Sequence, residues 1–189
     1  MANTIEISIN NLRNHPKNIR KSYNGISELA ASIKENGILQ NLTVVPDPDN
    51  EGMYLVVIGN RRLQAAKKAG LETVPCVITD MEESDQALTM LTENMQRKDL
   101  TLIEESSGFQ MCLEDFGIDV GTLASKTGFS KTTVRHRLNI AKLDRGILKD
   151  KMDDPEFQLT ITDLALLEKV RDVEKRNSIL DEAGDSRDL

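Results

Sequence analysis

The spacing of apolar residues changes several times along this chain, and each change marks an element. Over Ile5–Leu12 apolar and polar residues alternate closely enough for a short edge strand, and a polar turn at Asn14-His15-Pro16 follows. Ile26, Leu29, Ala30 and Ile33 then recur at helical spacing, and Gly37 follows them as a helix stop. Thr43–Val45 and Tyr54–Ile58 read as two strands bracketing Pro46-Asp47-Pro48-Asp49-Asn50-Glu51-Gly52, a hairpin-like loop. Asn60–Ala69 predicts a helix ended by Gly70, Val74–Ile78 a further strand, and Ser84–Glu93 a further helix. Thr101-Leu102-Ile103-Glu104 is a capping box that opens a helix running to about Phe116. Strand patterns disappear beyond it. The expected class is α+β, with an α/β domain over residues 1–99 and an all-helical domain over residues 100–189.

Composition supports that division. A chain of 189 residues suits one large or two small domains and is long enough for a real core. Tryptophan is absent and aromatics are scarce, so Leu, Ile, Val and Ala must build the interior. Cys76 and Cys112 lie in apolar segments without metal-ligand spacing and are expected to be small buried hydrophobes, which fits a reducing cytoplasm. No signal-peptide pattern opens the chain and no run approaches the ~18 apolar residues of a membrane span, so no membrane partner is expected.

The net charge of −7 argues against a protein that coats nucleic acid through charge alone. Charge is uneven, however. From Lys126 to Arg145 there are six Lys or Arg and one His against a single acid, Asp144, while the flanking segments are acidic. A local basic face is enough for docking.

Two segments carry candidate chemistry for phosphate. Gly59-Asn60-Arg61-Arg62 puts two guanidiniums where a strand hands over to a helix. A helix start offers unpaired N–H groups and partial positive charge, so the pair makes an anion site suited to phosphate. Thr92-Glu93-Asn94-Met95-Gln96-Arg97 offers a carboxylate, two amides and a guanidinium, and Glu93 and Asn94 are hard oxygen ligands of the kind that hold Mg²⁺ against phosphate. Together they suggest a nucleoside triphosphate site.

The second signal spans Val120–Ile140. Ala124, Gly128 and Val134 stand four, eight and fourteen positions after Val120, the offsets of a helix-turn-helix. Leu123, Phe129 and Leu138 can fill its small core. Ser130 is the expected N-cap of a second helix from Lys131 to about Ala141. With Val134 and Leu138 inside, Lys131, Thr132, Arg135 and His136 are candidates for reading base edges, and Thr133, Arg137 and Lys142 for reaching phosphates, with Ser130 in the same DNA-binding set.

Taken in order, these segments resemble the ParB family of chromosome- and plasmid-partition proteins. Gly37-Ile38-Leu39-Gln40 is similar to the family's G-I-x-Q-P segment, and Gly59-Asn60-Arg61-Arg62-Leu63-Gln64-Ala65-Ala66 to G-E-R-R-x-R-A-A. Glu93-Asn94-Met95-Gln96-Arg97-Lys98-Asp99-Leu100 is similar to E-N-x-Q-R-x-D-L. Ile103-Glu104-Glu105 and the helix-turn-helix follow in the family's order, so the resemblance covers roughly Ile5 to Leu167. It implies a ParB/sulfiredoxin-like N-terminal domain that binds CTP with Mg²⁺, and a helix-turn-helix that recognises a palindromic, centromere-like site in double-stranded DNA. It also implies a homodimer that closes as a sliding clamp, a ParA-type partner ATPase, and a cytoplasmic place on the bacterial nucleoid or on plasmid or phage DNA. Gly59, Arg61 and Arg62 would hold the triphosphate, with Arg97 close by. Glu93 and Asn94 would bind Mg²⁺ or phosphate, while Gly37, Ile38 and Gln40 would line the nucleotide pocket. Asn60 and Gln40 are the candidates for hydrolysis of CTP to CDP and phosphate.

Three positions depart from the family pattern. Asn60 stands where a glutamate tied to hydrolysis is usual, and an amide cannot act as a general base. Asn41 replaces a proline, loosening that turn, and Gln64 replaces an arginine. The family's C-terminal dimerisation domain is not visible after the helices, so the chain is expected to be a fragment or a short relative. Competing readings are a transcription regulator with weak or lost hydrolysis, a small-molecule kinase on a ParB-like fold, and, weaker still, a related nuclease. The helix-turn-helix speaks against the kinase, and no acidic cluster supports the nuclease.

Overall fold

The computed structural model describes residues 4–18, 23, 25–96, 100–154 and 160–183, with Thr162 through its backbone alone. The chain divides into two compact units, Met1–Asn94 and Met95–Leu189.

The first unit is built on β1 (Thr4–Ser8), β2 (Leu12–Asn14), β3 (Leu42–Pro46), β4 (Tyr54–Ile58) and β5 (Thr73–Ile78), with α1 (Ile26–Asn36), α2 (Asn60–Ala69) and α3 (Glu83–Met95). The strands form one sheet in the order β1-β5-β3-β4-β2. The β3–β4 and β1–β5 pairs are antiparallel, whereas β3–β5 and β2–β4 are parallel.

The single strand expected over Ile5–Leu12 is instead two strands on opposite edges, separated by a 3-10 turn at Ile9–Asn11. Unbroken alternation would send Ile7 and Leu12 to opposite faces, yet both are buried in the same cluster with Leu42, Val44, Val56, Leu63 and Val74. The turn reconciles the two. It also forces curvature. Four strand steps would separate the edges of a flat sheet by about 19 Å, but the chain from Ser8 to Leu12 can reach only about 14 Å. The sheet therefore curls towards closure.

α2 covers one face of the sheet with Leu63 and Ala66, while Ala65 packs against Ala30 and Ile33 of α1. Met90 of α3 packs with Val45, Leu55 and Val57, which alternate with the residues of the first cluster and so occupy the other face.

The second unit comprises α4 (Leu102–Glu114), α5 (Val120–Thr127), α6 (Lys131–Ile140), α7 (Arg145–Asp153), α8 (Ile161–Leu167) and α9 (Val173–Glu182). The capping box at Thr101 and Glu104 is formed in both directions. Ile140, Leu143, Leu148, Leu164, Leu167 and Leu180 make one core, and Phe109, Cys112, Leu123 and Val134 are buried as well. Burial pushes the Cys76 thiol up to about 11 and the Cys112 thiol to about 12. Among the described residues, no helix is long and apolar enough to cross a membrane.

His15 is tied into the first unit. Its Nδ1 accepts from the Lys17 N–H at 3.2 Å, which leaves Nε2 as the donor to Gln86 Oε1 at 3.0 Å; Gln86 in turn donates to the Met81 carbonyl at 2.7 Å. Burial holds the imidazole below its ordinary 6.5. The unfolded chain then takes up a proton that the native protein refuses, so stability present above about pH 6.5 falls as pH drops through that value. Denaturant midpoints at pH 7.5 and 5.5 are expected to show a drop in the wild type that His15→Asn reduces. Equal drops in the two proteins would remove His15 as the cause.

Candidate functional site

The start of α2 differs from every helix of the second unit. Its N-cap is Gly59, with φ 102°, and no side chain caps it. Helices α4 to α9 all carry a Ser, Thr or Asp whose oxygen takes one or more of the first N–H groups. Gly59 cannot be replaced cheaply. A Cβ there would meet Leu42 Cγ at 3.1 Å and Arg62 Cζ at 3.3 Å, in a backbone conformation that disfavours side chains anyway. Asn60, a natural N-cap residue, is one position too late for that role. Its Nδ2 donates to the Val56 carbonyl at 3.0 Å, fastening the helix to the end of β4, and its Oδ1 is buried with no partner.

The adjacent arginines have different surroundings. Arg61 approaches the start of α1, whose N-cap, Gly25, is also left-handed and also lacks a side-chain cap. A Cβ on Gly25 would lie 3.0 Å from an Arg61 Nη. Arg61 Nε is buried with no hydrogen-bond partner. A guanidinium thus sits beside two helix starts of like partial charge, with the Glu28 carboxylate of the first turn of α1 close to the same point as the nearby negative charge. Arg62 folds back over Gly59 and donates through Nη1 to the Asn41 carbonyl at 2.7 Å and to the Gln40 carbonyl. Burial lowers its pKa, and the Glu93 carboxylate pulls the other way.

The fold therefore brings Gly25, the backbone of Gln40 and Asn41, Gly59, Asn60, Arg61, Arg62 and Glu93 into one neighbourhood. Gly25 was not anticipated, although a glycine ahead of the Ile26 helical run is a permissible cap. Gln40 takes part through its carbonyl. Ile38 packs into the two apolar clusters beside α2 and is partly buried there, while Gly37 ends α1 with a φ of 71°. Asn94 is 3% exposed, its Nδ2 bonded to the Met90 carbonyl at 2.8 Å. Arg97 lies outside the described residues. Asn41, in place of a proline, donates to Thr4 Oγ1 at 2.7 Å, and Gln64 to Asn14 Oδ1 at 3.0 Å.

An anion fits this place. Two uncapped helix starts, an orphaned buried N–H and a glycine cradle that a Cβ would fill all call for a phosphate-like group. A resident metal fits less well by itself, since no group of three His, Cys, Asp or Glu side chains converges among the described residues. Of the two residues expected to hold Mg²⁺, Glu93 lies close to Arg62, whereas Asn94 is buried with its amide bonded to Met90.

In the second unit, Ser130 caps α6 by accepting from the Thr133 N–H at 3.0 Å. Gly128, with φ 79°, makes the turn between α5 and α6. Lys131, Thr132, Arg135 and Lys142 are exposed, and Thr133 is half-buried. His136 Nδ1 pairs with Glu168 Oε1 at 2.7 Å, and the ring stays partly open.

Arg137 requires a correction. Expected to reach a phosphate, it is 7% exposed and donates through Nε to Glu105 Oε2 at 2.9 Å. Its guanidinium also lies 5.7 Å from the centroid of Phe129, which is tilted against Phe109 at 6.0 Å. Two residues along a helix turn the side chain by about 200°, so Arg135 and Arg137 cannot share a face. The basic count along the segment conceals that difference.

Known proteins share both units. Residues 1–95 match the family described as the ParB N-terminal domain, and residues 98–183 match the ParB HTH domain. The chromosome-partitioning protein Spo0J of Thermus thermophilus is 36% identical over 144 residues, covering 75% of this chain and 52% of that protein. A nucleoid occlusion protein of Halalkalibacterium halodurans is 33% identical over 128 residues, covering 68% and 44% respectively. The crystal structure of the C-terminally truncated chromosome-partitioning protein ParB from Caulobacter crescentus, complexed to the centromeric parS site, aligns with 95% of this chain and 100% of that chain, with a TM-score of 0.64 at 25% identity. The chain spans about half the length of the curated relatives it matches.

Arg137 is buried and Glu105 half-buried, so removing the guanidinium leaves a partly desolvated carboxylate without its partner. Arg137→Ala is expected to cost about 1–3 kcal/mol, whereas the paired change Arg137→Met with Glu105→Leu should cost less. Urea unfolding of the three proteins checks this, and a neutral Arg137→Ala would refute it.

Proposed function

Because the chain belongs to the ParB family, we propose that it is a CTP-dependent DNA-binding protein of the partition type. In this reading α6 enters the major groove of a palindromic, centromere-like duplex, and a homodimer closes around DNA when nucleotide binds. A ParA-type ATPase would be the partner in segregation. The observation that carries the nucleotide half is the buried, unpartnered Nε of Arg61 beside two uncapped helix starts. Gly59, Arg61 and Arg62 would hold the phosphates, and Arg97 would belong to the same site. Gly37, Ile38 and Gln40 would border the nucleotide, and Glu93 and Asn94 would face its Mg²⁺. Bound Mg²⁺ would neutralise phosphate charge. Arg62 would exchange its carbonyl partners for phosphate oxygens, so binding should loosen its hold on Gln40 and Asn41. The DNA half rests on the exposed Lys131, Thr132 and Arg135 at the start of α6, the end from which a recognition helix reads bases.

Asn60 favours a second reading of turnover. One N–H of its amide is bonded to the Val56 carbonyl, and its uncharged Oδ1 is buried without a partner. That oxygen can accept a hydrogen bond from water but cannot take a proton from it near neutral pH. The protein would then bind CTP and hydrolyse it slowly, as suits a regulator or a long-lived clamp. Gln40, the other candidate for orienting water, is exposed.

Three measurements test these readings. By calorimetric titration with Mg²⁺, Arg61→Ala is expected to weaken CTP at least tenfold, about 1.4 kcal/mol, while binding to a short duplex stays intact. Unchanged CTP affinity would remove the site. Arg135→Ala is expected to lower affinity for the selected duplex by about 1–3 kcal/mol with CTP binding unaltered. Asn60→Glu is expected to raise phosphate release without tightening CTP, since the change acts on the transition state. Brisk wild-type release that Asn60→Glu leaves unchanged would show the asparagine to be purely structural.

A further inference from the structure

The start of α1 is a capping box with one half missing. In the complete boxes at α4 and α8, the N-cap threonine accepts an N–H of the first turn, and the acid three residues on accepts the N-cap N–H. The threonine hydroxyl also holds that acid, donating to Glu104 Oε2 at 2.9 Å in one box and to Asp163 Oδ2 at 2.6 Å in the other. At α1 the N-cap is Gly25, and the acid three residues on is Glu28. Glycine has no hydroxyl to hold it. Glu28 is exposed and makes no hydrogen bond or ion pair among the described residues. Its Oε2 nevertheless lies 4.0 Å from the point where a Cβ on Gly25 would stand, and an Arg61 Nη lies 3.0 Å from the same point. The carboxylate therefore leans back over the helix start, near the guanidinium and fastened to neither.

We propose that Glu28 is the resident counter-ion of the phosphate site, balancing Arg61 and the start of α1 until an incoming phosphate takes its place. The positive groups around Gly25 attract either anion. Lys68 adds to them, since it donates to Ser27 Oγ at 2.7 Å and so stands beside the same turn. Two anions cannot share the point, because like charges a few ångströms apart repel. The phosphate chain has the advantage in charge and in acceptor oxygens, and it offers Arg61 the fork of acceptors that a guanidinium suits. Glu28 yields at little cost, since no hydroxyl fastens it and its side chain is already in solvent. Gly25 leaves the exchange point open, whereas any side chain there would fill the space between Arg61 and Glu28. A tethered competitor of this kind lowers the affinity of the site and returns when the phosphate leaves, which favours release. Glu28 thus regulates occupancy without contributing a bond to the ligand.

The inference rests on the nucleotide reading of this site, and the experiment separates the two. Affinities of the full chain for CTP and for inorganic tripolyphosphate, each with Mg²⁺, are measured by calorimetric titration. Glu28→Gln keeps the shape of the side chain and removes its charge, and Glu35→Gln does the same near the other end of α1. Glu28→Gln is expected to tighten both ligands at least about threefold, the scale of one exposed charge pair, while Glu35→Gln stays within about twofold of wild type. Without ligand, Glu28→Gln should also melt below wild type, because Arg61 and the helix start lose their balancing charge. A lower melting temperature with unchanged affinity would mean that the carboxylate only stabilises the helix, and it overturns the proposal. If Glu28→Gln binds CTP like wild type while Arg61→Ala weakens it, the counter-ion is wrong and the nucleotide site stands. Weaker CTP binding by Glu28→Gln also overturns the proposal, since the carboxylate would then hold the Mg²⁺. Equal tightening by Glu35→Gln overturns it as an effect of overall charge. Tightening of tripolyphosphate alone supports the counter-ion and removes CTP from Arg61. Absence of binding of either ligand to wild type and to Glu28→Gln overturns both.

Discussion

The first unit depends on the chain leaving β4 through a left-handed glycine. At Gly59 the backbone turns from strand to helix within one residue, and the absence of a Cβ lets Leu42 and Arg62 close over it. Leu63 and Ala66 can then press α2 against the curled sheet, and Ala65 against α1. The same glycine supplies no cap, so the first N–H groups of α2 keep their demand for an acceptor. A missing side-chain cap costs on the order of 1 kcal/mol, and the second unit avoids that cost at each of its six described helices. Local rules are broken where a ligand supplies the missing partner. Gly25 repeats the arrangement at α1, and Arg61 lies between.

In the second unit the equivalent constraint is a part-buried ion pair. Glu105 on α4 and Arg137 on α6 meet, with the Arg137 guanidinium over the Phe129 ring, fixing the rotation of α6 about its own axis. With Arg137 turned inward, Lys131, Arg135 and Asn139 must turn outward together. A hydrophobic pair of similar volume could stabilise the contact equally well. A charged pair with directional hydrogen bonding narrows the allowed rotations further.

Much of this was legible along the chain. The α+β class, the helix-turn-helix with its Ser130 cap, the capping box at Thr101 and the helix beginning at Asn60 follow from short-range chemistry, where spacing and turn residues act within a few positions. The break inside Ile5–Leu12 was not legible. It is set by Ile7 and Leu12 sharing one cluster on a curled sheet, a condition that no local alternation reveals. Arg61 and Arg62 look alike in sequence, and only their surroundings give one a pair of carbonyl partners and leave the other with a buried orphan N–H. Asn60 read as the residue in place of a hydrolytic glutamate, and the structure shows its amide fastening α2 to the Val56 carbonyl at the end of β4.

By itself the sequence determined where helices start and stop, which segments are basic, and which ordered motifs mark the family. Those properties depend on neighbours within a turn or two, so the chain carries them without its fold. Tertiary structure decided which charges are usable. Arg135 and Arg137 are identical residues two positions apart, yet Glu105, thirty-two residues before Arg137, buries one and leaves its twin to solvent. Long-range packing sets the dielectric and the partner of each ionic group, and those two quantities separate a binding residue from a structural one.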